Sequence, residues 1–260
     1  MEVDAALSSI ETKYSFKFKE KQIQAIKSIV SGKDTFVVLP TGYGKTKIYA
    51  HLPEIYEHLD NFGTVLVISP LKSLMMDQVT KLTSIGINAT LVGECQKDKG
   101  VADKIAEGAF TTVFTSPEAA LTHGMWKRCF TSGFFHDNLK AIVIDEAHCI
   151  TEWGAEFRQD YGRLAELRSI LPDDVTYVAL TATATTNMKS QILKKLDMME
   201  EETSVVYELP DRKNITYHVK KSKNRYSELD WLLNDIVNNK EMAKKNCCIW
   251  SKYCDLCKLI

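Results

Sequence analysis

The stretch DEAHCITEW, residues 145–153, crowds Asp145, Glu146, His148, Cys149 and Glu152 together, and each of those side chains can bind a metal ion. One reading is structural zinc, which needs four ligands in fixed geometry, usually from two separated pairs. His148 and Cys149 offer one pair. Cys254 and Cys257 form a CxxC near the end of the chain, without a matching half. A second reading is a pair of carboxylates working on a nucleotide-bound metal, since AIVIDEAH is an apolar strand that ends in Asp145 and Glu146. A glycosidase acid pair fits less well, because adjacent residues on a strand point to opposite faces.

The carboxylates acquire a use from VVLPTGYGKT, residues 37–46, where Lys45 stands one hundred positions before Asp145. Gly42 and Gly44 permit a tight turn and close approach of backbone to ligand. The backbone N–H groups of such a loop, with the helix start that follows, make an anion nest. Lys45 can reach β and γ phosphates, and Thr46 can ligate Mg²⁺ through its hydroxyl. The general motif opens with a glycine, and here Leu39 holds that position. A glycine turn carrying an ordinary surface lysine is the bland alternative. In the nucleotide reading Asp145 holds Mg²⁺, through water, and Glu146 orients the attacking water.

Both stretches need a scaffold that brings them to one edge. Runs at 35–39, 64–69, 88–92, 111–116, 141–145 and 175–181 are short and β-branched, several apolar at nearly every position. Such runs suit strands buried on both faces of a parallel sheet. Between them lie amphipathic stretches. Leu71, Leu74, Met75, Leu82 and Ile85 follow helical spacing, as do Ile23, Ile26 and Ile29 before a stop at Gly32. Strand–helix alternation predicts an α/β doubly wound domain whose ligand sits beyond the carboxyl ends of the strands. After residue 207 the sequence turns polar; a helix over 225–239 and a new strand at NCCIWS, 246–251, are expected.

Composition bounds the rest. Hydrophobic residues at 45% allow a sizeable core and exclude a disordered chain. A net charge of −1 gives no global basic field, although a local groove can still be basic. Seven scattered cysteines argue against a secreted disulfide framework and for a reduced intracellular compartment. No apolar run approaches the roughly 18 residues of a membrane helix. The expected location is intracellular without a membrane anchor, in the nucleus of a eukaryote or otherwise in the cytoplasm.

LPTGYGKT with DEAH and TATAT, residues 181–185, resembles a superfamily-two helicase motor, and the longer DEAHCITEWGAEFRQDY resembles the RecQ DNA helicases. SPLKSLMMDQV (69–79), TSPE (115–118), FKEKQIQAI (18–26), PDRKNI (210–215) and CCIWSK (247–252) resemble further motifs of that family. The resemblance implies a RecA-like P-loop NTPase fold with helices on both faces of a mostly parallel sheet. It implies ATP and Mg²⁺ as cofactors and 3′-to-5′ translocation on single-stranded and tailed duplex DNA. Gln22 would read adenine beside Lys19, and Pro40, Thr41, Gly42, Tyr43, Gly44, Lys45 and Thr46 would cradle the phosphates. Lys45, Asp145, Glu146 and His148 would be catalytic, His148 coupling to Thr181 and Thr183. Ser69, Pro70, Leu71, Ser116, Pro117, Glu118, Trp153, Phe157 and Arg158 would face or sense DNA.

Several readings stay open beside it. Trp153 and Phe157 also fit a helical core pair, against which Gly154 argues. Gln22 by itself reads as an exposed helix residue, and Lys220, Lys221 and Lys223 as a solvated face or a phosphate contact. Ala155 and Glu156 replace the His and Asp common in the family, which implies looser coupling of DNA to hydrolysis. The expected organisation is a first motor domain over 1–207, a connector over 208–245 and the opening of a second motor domain over 246–260. The family's second motor domain supplies arginines that complete the ATP site, so a second motor domain or a full-length helicase in trans is an expected partner. A non-catalytic regulatory fragment and an RNA-directed DEAH motor are the alternatives.

Overall fold

Six strands stand where the β-branched runs predict them: β1 (Thr35–Val38), β2 (Thr64–Ile68), β3 (Ala89–Leu91), β4 (Thr112–Thr115), β5 (Leu139–Ile144) and β6 (Thr176–Thr181). A seventh, β7 (Ser204–Tyr207), has no counterpart in the sequence reading. The computed structural model describes residues 2–93, 96, 100–122, 133–152 and 159–209. All seven strands form one sheet in the order β3-β4-β2-β5-β6-β1-β7, and each neighbouring pair is parallel.

Alternation along each strand divides the core in two. Phe36, Leu66, Ile68, Ile142 and Ile144 join one apolar cluster. Their neighbours Val37, Leu39, Val65, Val67 and Val143 join the other. Both faces of the central strands are covered, so their positions are almost all apolar or Thr. The second cluster is capped by α1 (Glu2–Lys13), α2 (Glu20–Val30), α3 (Thr46–Ala50), α4 (Leu52–His58) and α5 (Lys72–Ser84), through residues such as Ile10, Ile26, Ile48, Ile55 and Met75. The first is capped by α6 (Val101–Ala106), α7 (Pro117–Thr122), α8 (Phe134–Asp137), α9 (Cys149–Glu152), a 3₁₀ helix (Gln159–Ser169) and α10 (Thr186–Lys195). Truncating a fully buried ring such as Phe36 to Ala costs roughly 3–5 kcal/mol.

Helix α2 ends as its sequence predicts. Gly32 takes φ 77°, its N–H donates to Ile29 O, and the Lys33 N–H donates to Ser28 O. That pair of bonds satisfies carbonyls a helix end otherwise leaves open. Helix α5 departs from its expected packing. Only Met75 and Leu82 are buried, while Leu71 and Ile85 are exposed. The helix touches the sheet along a narrow stripe, so helical spacing marks more residues than burial uses.

Among the described residues no helix is long and apolar enough to cross a membrane. The expected helix over 225–239, the strand at 246–251, the CxxC at Cys254 and Cys257, and the loop residues Trp153, Phe157 and Arg158 lie outside the described residues.

Candidate nucleotide site

Strand β1 does not stop at Val38 for pairing purposes. The Leu39 N–H donates to Thr181 O at 3.1 Å, and Leu39 is fully buried. The position still belongs to the sheet, and the turn begins at Pro40. Gly42 and Gly44 then take φ of 81° and 93°, a region that penalises side chains. Thr46 opens α3, so the loop ends at a helix N-terminus.

Gln22 locks that loop from beneath. It is 1% exposed, not a surface residue. Its Nε2 donates to Tyr43 O and Gly44 O, each at 3.0 Å, and its Oε1 accepts from the Lys19 N–H at 2.8 Å. A Cβ on Gly44 would fall 2.8 Å from Gln22 Nε2, closer than real contacts permit. The Lys19 ammonium lies 4.3 Å from the Tyr43 ring centroid, a cation–π contact that brings α2 and the loop together again. Lys45 Nζ donates to Leu39 O at 3.1 Å, back across the loop it closes. Pro40 is half-buried, and Thr41 is exposed at the loop's tip.

The carboxylates arrive from β5. Asp145 donates its N–H to Ile68 O at 2.9 Å, and Ala147 donates to Leu180 O at 2.8 Å, so the DEAH segment is pinned between β2 and β6. Glu146 between them has φ 51°, a left-handed conformation rare for such a residue and concentrated at functional sites. Burial, and then the charge of Glu146, push the Asp145 carboxyl up to about 6, against the Glu146 N–H and Lys45, which pull it down. His148 Nδ1 lies 3.3 Å from Glu146 Oε2 and 3.2 Å from Thr181 Oγ1. The Thr181 hydroxyl donates to Thr183 O at 3.0 Å, leaving its lone pairs for an Nδ1–H of His148.

Zinc fares poorly. Among the described residues no three of His, Cys, Asp or Glu are placed to hold a metal cluster. Cys149 is buried in the apolar core, its Sγ 3.8 Å from His148 Nε2. For Mg²⁺ the donor set is apt, the Thr46 hydroxyl and the Asp145 carboxylate both being oxygen ligands, and the buried hydroxyl of Tyr49 has no hydrogen-bond partner.

The residues expected to face DNA are spread along the carboxyl ends of the strands. Ser69 follows β2 and is 2% exposed, with its Oγ unpartnered. Pro70 and Pro117 are buried, Leu71 is 47% exposed, Ser116 and Glu118 are half-buried, and Thr183 is exposed. Sequence reasoning missed Tyr49 and also Lys195, whose Nζ donates to Ile150 O at 2.9 Å behind the DEAH segment. The one available signal for Tyr49 is its place three residues after Thr46, on the same helix face.

A parallel sheet with this loop after β1 and these carboxylates after β5 defines a RecA-like P-loop nucleotide-binding domain. A sequence model described as DEAD/DEAH box helicase matches residues 19–191, and the chain belongs to that family. The chain is 35% identical over 216 residues to the ATP-dependent helicase SGS1 of Saccharomyces cerevisiae, covering 82% of this chain and 15% of that one. It is 34% identical over 227 residues to the ATP-dependent DNA helicase RecQ of Bacillus subtilis, covering 86% and 36%. Against the RecQ-like DNA helicase BLM of Xenopus laevis it is 34% identical, covering 82% and 16%. The chain thus spans between 15% and 36% of the length of these relatives. Among solved structures, the DUF1998 helicase MrfA bound to DNA and AMPPNP superposes with a TM-score of 0.65 at 22% identity, over 92% of this chain and 34% of the other. That likeness is one of fold.

Proposed function

We propose that these residues form the first motor unit of a RecQ-type ATP-dependent DNA helicase, moving 3′ to 5′ on single-stranded DNA. The observation that carries the reading is the join between chemistry and sheet. Glu146, beside the phosphate loop, shares His148 Nδ1 with Thr181 at the end of the neighbouring strand. A change at the γ-phosphate can thereby reach the segment that begins TATAT. The names of the relatives, helicases of RecQ type among them, support the same reading.

Lys45 would hold the β and γ phosphates, and Thr46 and Asp145 would hold Mg²⁺, which supplies charge neutralisation on the transferring phosphoryl group. Glu146 would orient the attacking water and accept its proton. Gln22 and Lys19 would receive adenine, the Gln22 amide exchanging part of its grip on the loop for the base. Ser69, Pro70, Leu71, Ser116, Pro117, Glu118, Trp153, Phe157 and Arg158 remain the proposed DNA side. Aromatic stacking there suits sequence-tolerant binding of single strands. A second motor unit would complete the site with arginines, each worth about 10³–10⁵ in rate. The 260-residue chain tested by itself is therefore expected to hydrolyse ATP slowly and unwind little. Its place would be with DNA, in the nucleus if the cell is eukaryotic and otherwise in the cytoplasm.

The test is steady-state ATPase of the chain with and without single-stranded DNA, compared with Lys45→Ala and Glu146→Gln. A slow rate that DNA stimulates, lost in both variants, supports a motor. DNA binding indifferent to ATP favours a regulatory fragment, and stronger stimulation by RNA of matched sequence favours an RNA-directed motor.

A further inference from the structure

Tyr49 is among the largest fully buried side chains, 1% exposed, and its ring packs edge-on against Phe114 of β4, centroids 6.1 Å apart. Its hydroxyl is buried with no hydrogen bond of acceptable geometry. A phenylalanine would fill the same space without burying an unpaired donor, so packing leaves the oxygen unexplained. The Thr46 hydroxyl lies one helical turn earlier, and the charges of Asp145 and Glu146 are felt at the phenol. Proximity to those carboxylates, on top of burial, pushes the phenol further up, so it stays a neutral donor.

We propose that Tyr49 is a positioning residue for the metal-binding carboxylate: its O–H donates to Asp145 once Thr46 and Asp145 are drawn onto Mg²⁺–nucleotide. The inference rests on the reading of Thr46 and Asp145 given above. A ligating carboxylate needs its second oxygen held by a donor, and such partners are worth about 10- to 100-fold in metal affinity. Asp145 has the Glu146 N–H on Oδ1 at 3.0 Å. Tyr49 offers a side-chain donor in the same neighbourhood, on an element that moves with Thr46. Its ring is clamped between sheet and helix, so the hydroxyl has little freedom to lose on forming the bond.

The test uses the full chain and Tyr49→Phe. Melting without nucleotide reports the free state, where the variant is expected to match or exceed the parent because it discards an unpaired group. Equilibrium binding of a fluorescent ATP analogue is measured in Mg²⁺ and in EDTA. The variant is expected to lose about 10- to 100-fold in Mg²⁺ and to be unchanged in EDTA, by the magnitudes typical of such partners. Asp145→Asn and the double variant close a cycle, and the Tyr49 effect is expected to vanish in the Asp145→Asn background. Equal affinities for parent and Tyr49→Phe in Mg²⁺, an equal loss in EDTA, or a lowered melting temperature each overturns the role. If the parent binds nucleotide without regard to Mg²⁺, or Lys45→Ala binds as well as the parent, the nucleotide reading fails first and this inference with it.

Discussion

His148 and Thr181, 33 positions apart, meet through a 3.2 Å contact between Nδ1 and Oγ1. The Thr181 hydroxyl hydrogen is committed to Thr183 O, so the imidazole supplies the proton and the threonine accepts it. Thr181→Val keeps the volume and removes the acceptor, leaving His148 to Glu146 alone. Nucleotide affinity is expected to change less than about 3-fold, while the DNA-stimulated ATPase falls roughly 10-fold, in line with loss of one positioned polar contact. Steady-state rates with and without single-stranded DNA measure it. An unaltered stimulation ratio would break the proposed link.

The two loop glycines are not equivalent. Both have positive φ, yet a Cβ on Gly42 meets nothing within 4 Å, whereas one on Gly44 strikes Gln22 Nε2 at 2.8 Å. Gly42→Ala is expected to cost about 1–2 kcal/mol of backbone strain and little nucleotide affinity. Gly44→Ala adds displacement of the Gln22 amide, and with it both bonds that hold the loop. Nucleotide affinity is expected to drop at least about 10-fold, for the loss of two hydrogen bonds worth about 1 kcal/mol each. Equal affinities for the two variants, by calorimetry, would contradict the role given to Gln22.

Two groups set opposing pH dependences on stability. Burial, chiefly, lowers the His51 imidazole to about 4, and Tyr14, Phe16 and Phe18 surround it. The unfolded chain takes up that proton first, so stability falls as pH drops from 6.5 toward 4. Asp145 is raised, so its contribution is fully present below 3.8 and is lost as pH rises through about 6. The two slopes partly cancel in the wild type. His51→Gln should expose a chain that gains stability on mild acidification, and Asp145→Asn one that loses it more steeply. Urea melts at pH 4.5, 5.5 and 7.5 distinguish them, and parallel profiles for all three proteins would refute the assignment.

At the far end of the sheet, Asp34 joins three elements. Its carboxylate accepts from the Tyr177 N–H at 2.8 Å and from the Arg168 guanidinium. Arg168 in turn stacks on the Tyr177 ring, 3.8 Å from its centroid, and donates to Leu196 O. Asp34→Ala strands partly buried donors and is expected to cost about 2–4 kcal/mol, against about 0.3–0.5 kcal/mol for an exposed helical pair such as Lys81–Asp77. A urea titration decides it, and a loss below about 0.5 kcal/mol would show the cluster is solvated.

The sheet was legible because both of its faces are dry: runs such as TVLVI and AIVI have no other stable use in a chain this size. β7 escaped notice because, at an edge, only Val206 of its four residues is buried. The glycine turn after β1 and the strand end before Asp145 fall where the residue pattern puts them. What spacing left out is orientation. No pattern of residue types announces that Glu146 sits at positive φ, that Gln22 points under the loop, or that the Tyr49 oxygen is unpaired. Each depends on contacts between segments far apart in sequence. Helical spacing on α5 overstated its buried face for the same reason, since the partner surface, not the period, decides how many residues are covered.

Strand β1, from which the phosphate loop hangs, pairs only with β6 and β7: Thr35 lies opposite Val178 on one side and Ser204 on the other. During synthesis at roughly 5–20 residues per second, the chain can gather β2, β4 and β5 while β1 still has no neighbour to pair with. Long-range parallel pairing of this kind is slow to form, because the closure entropy must be met before any ladder bond rewards it. The candidate nucleotide pocket is therefore completed only once β6, far along the chain from its loop, has emerged. A ribosome-bound chain arrested before residue 176 is expected to be unable to bind ATP.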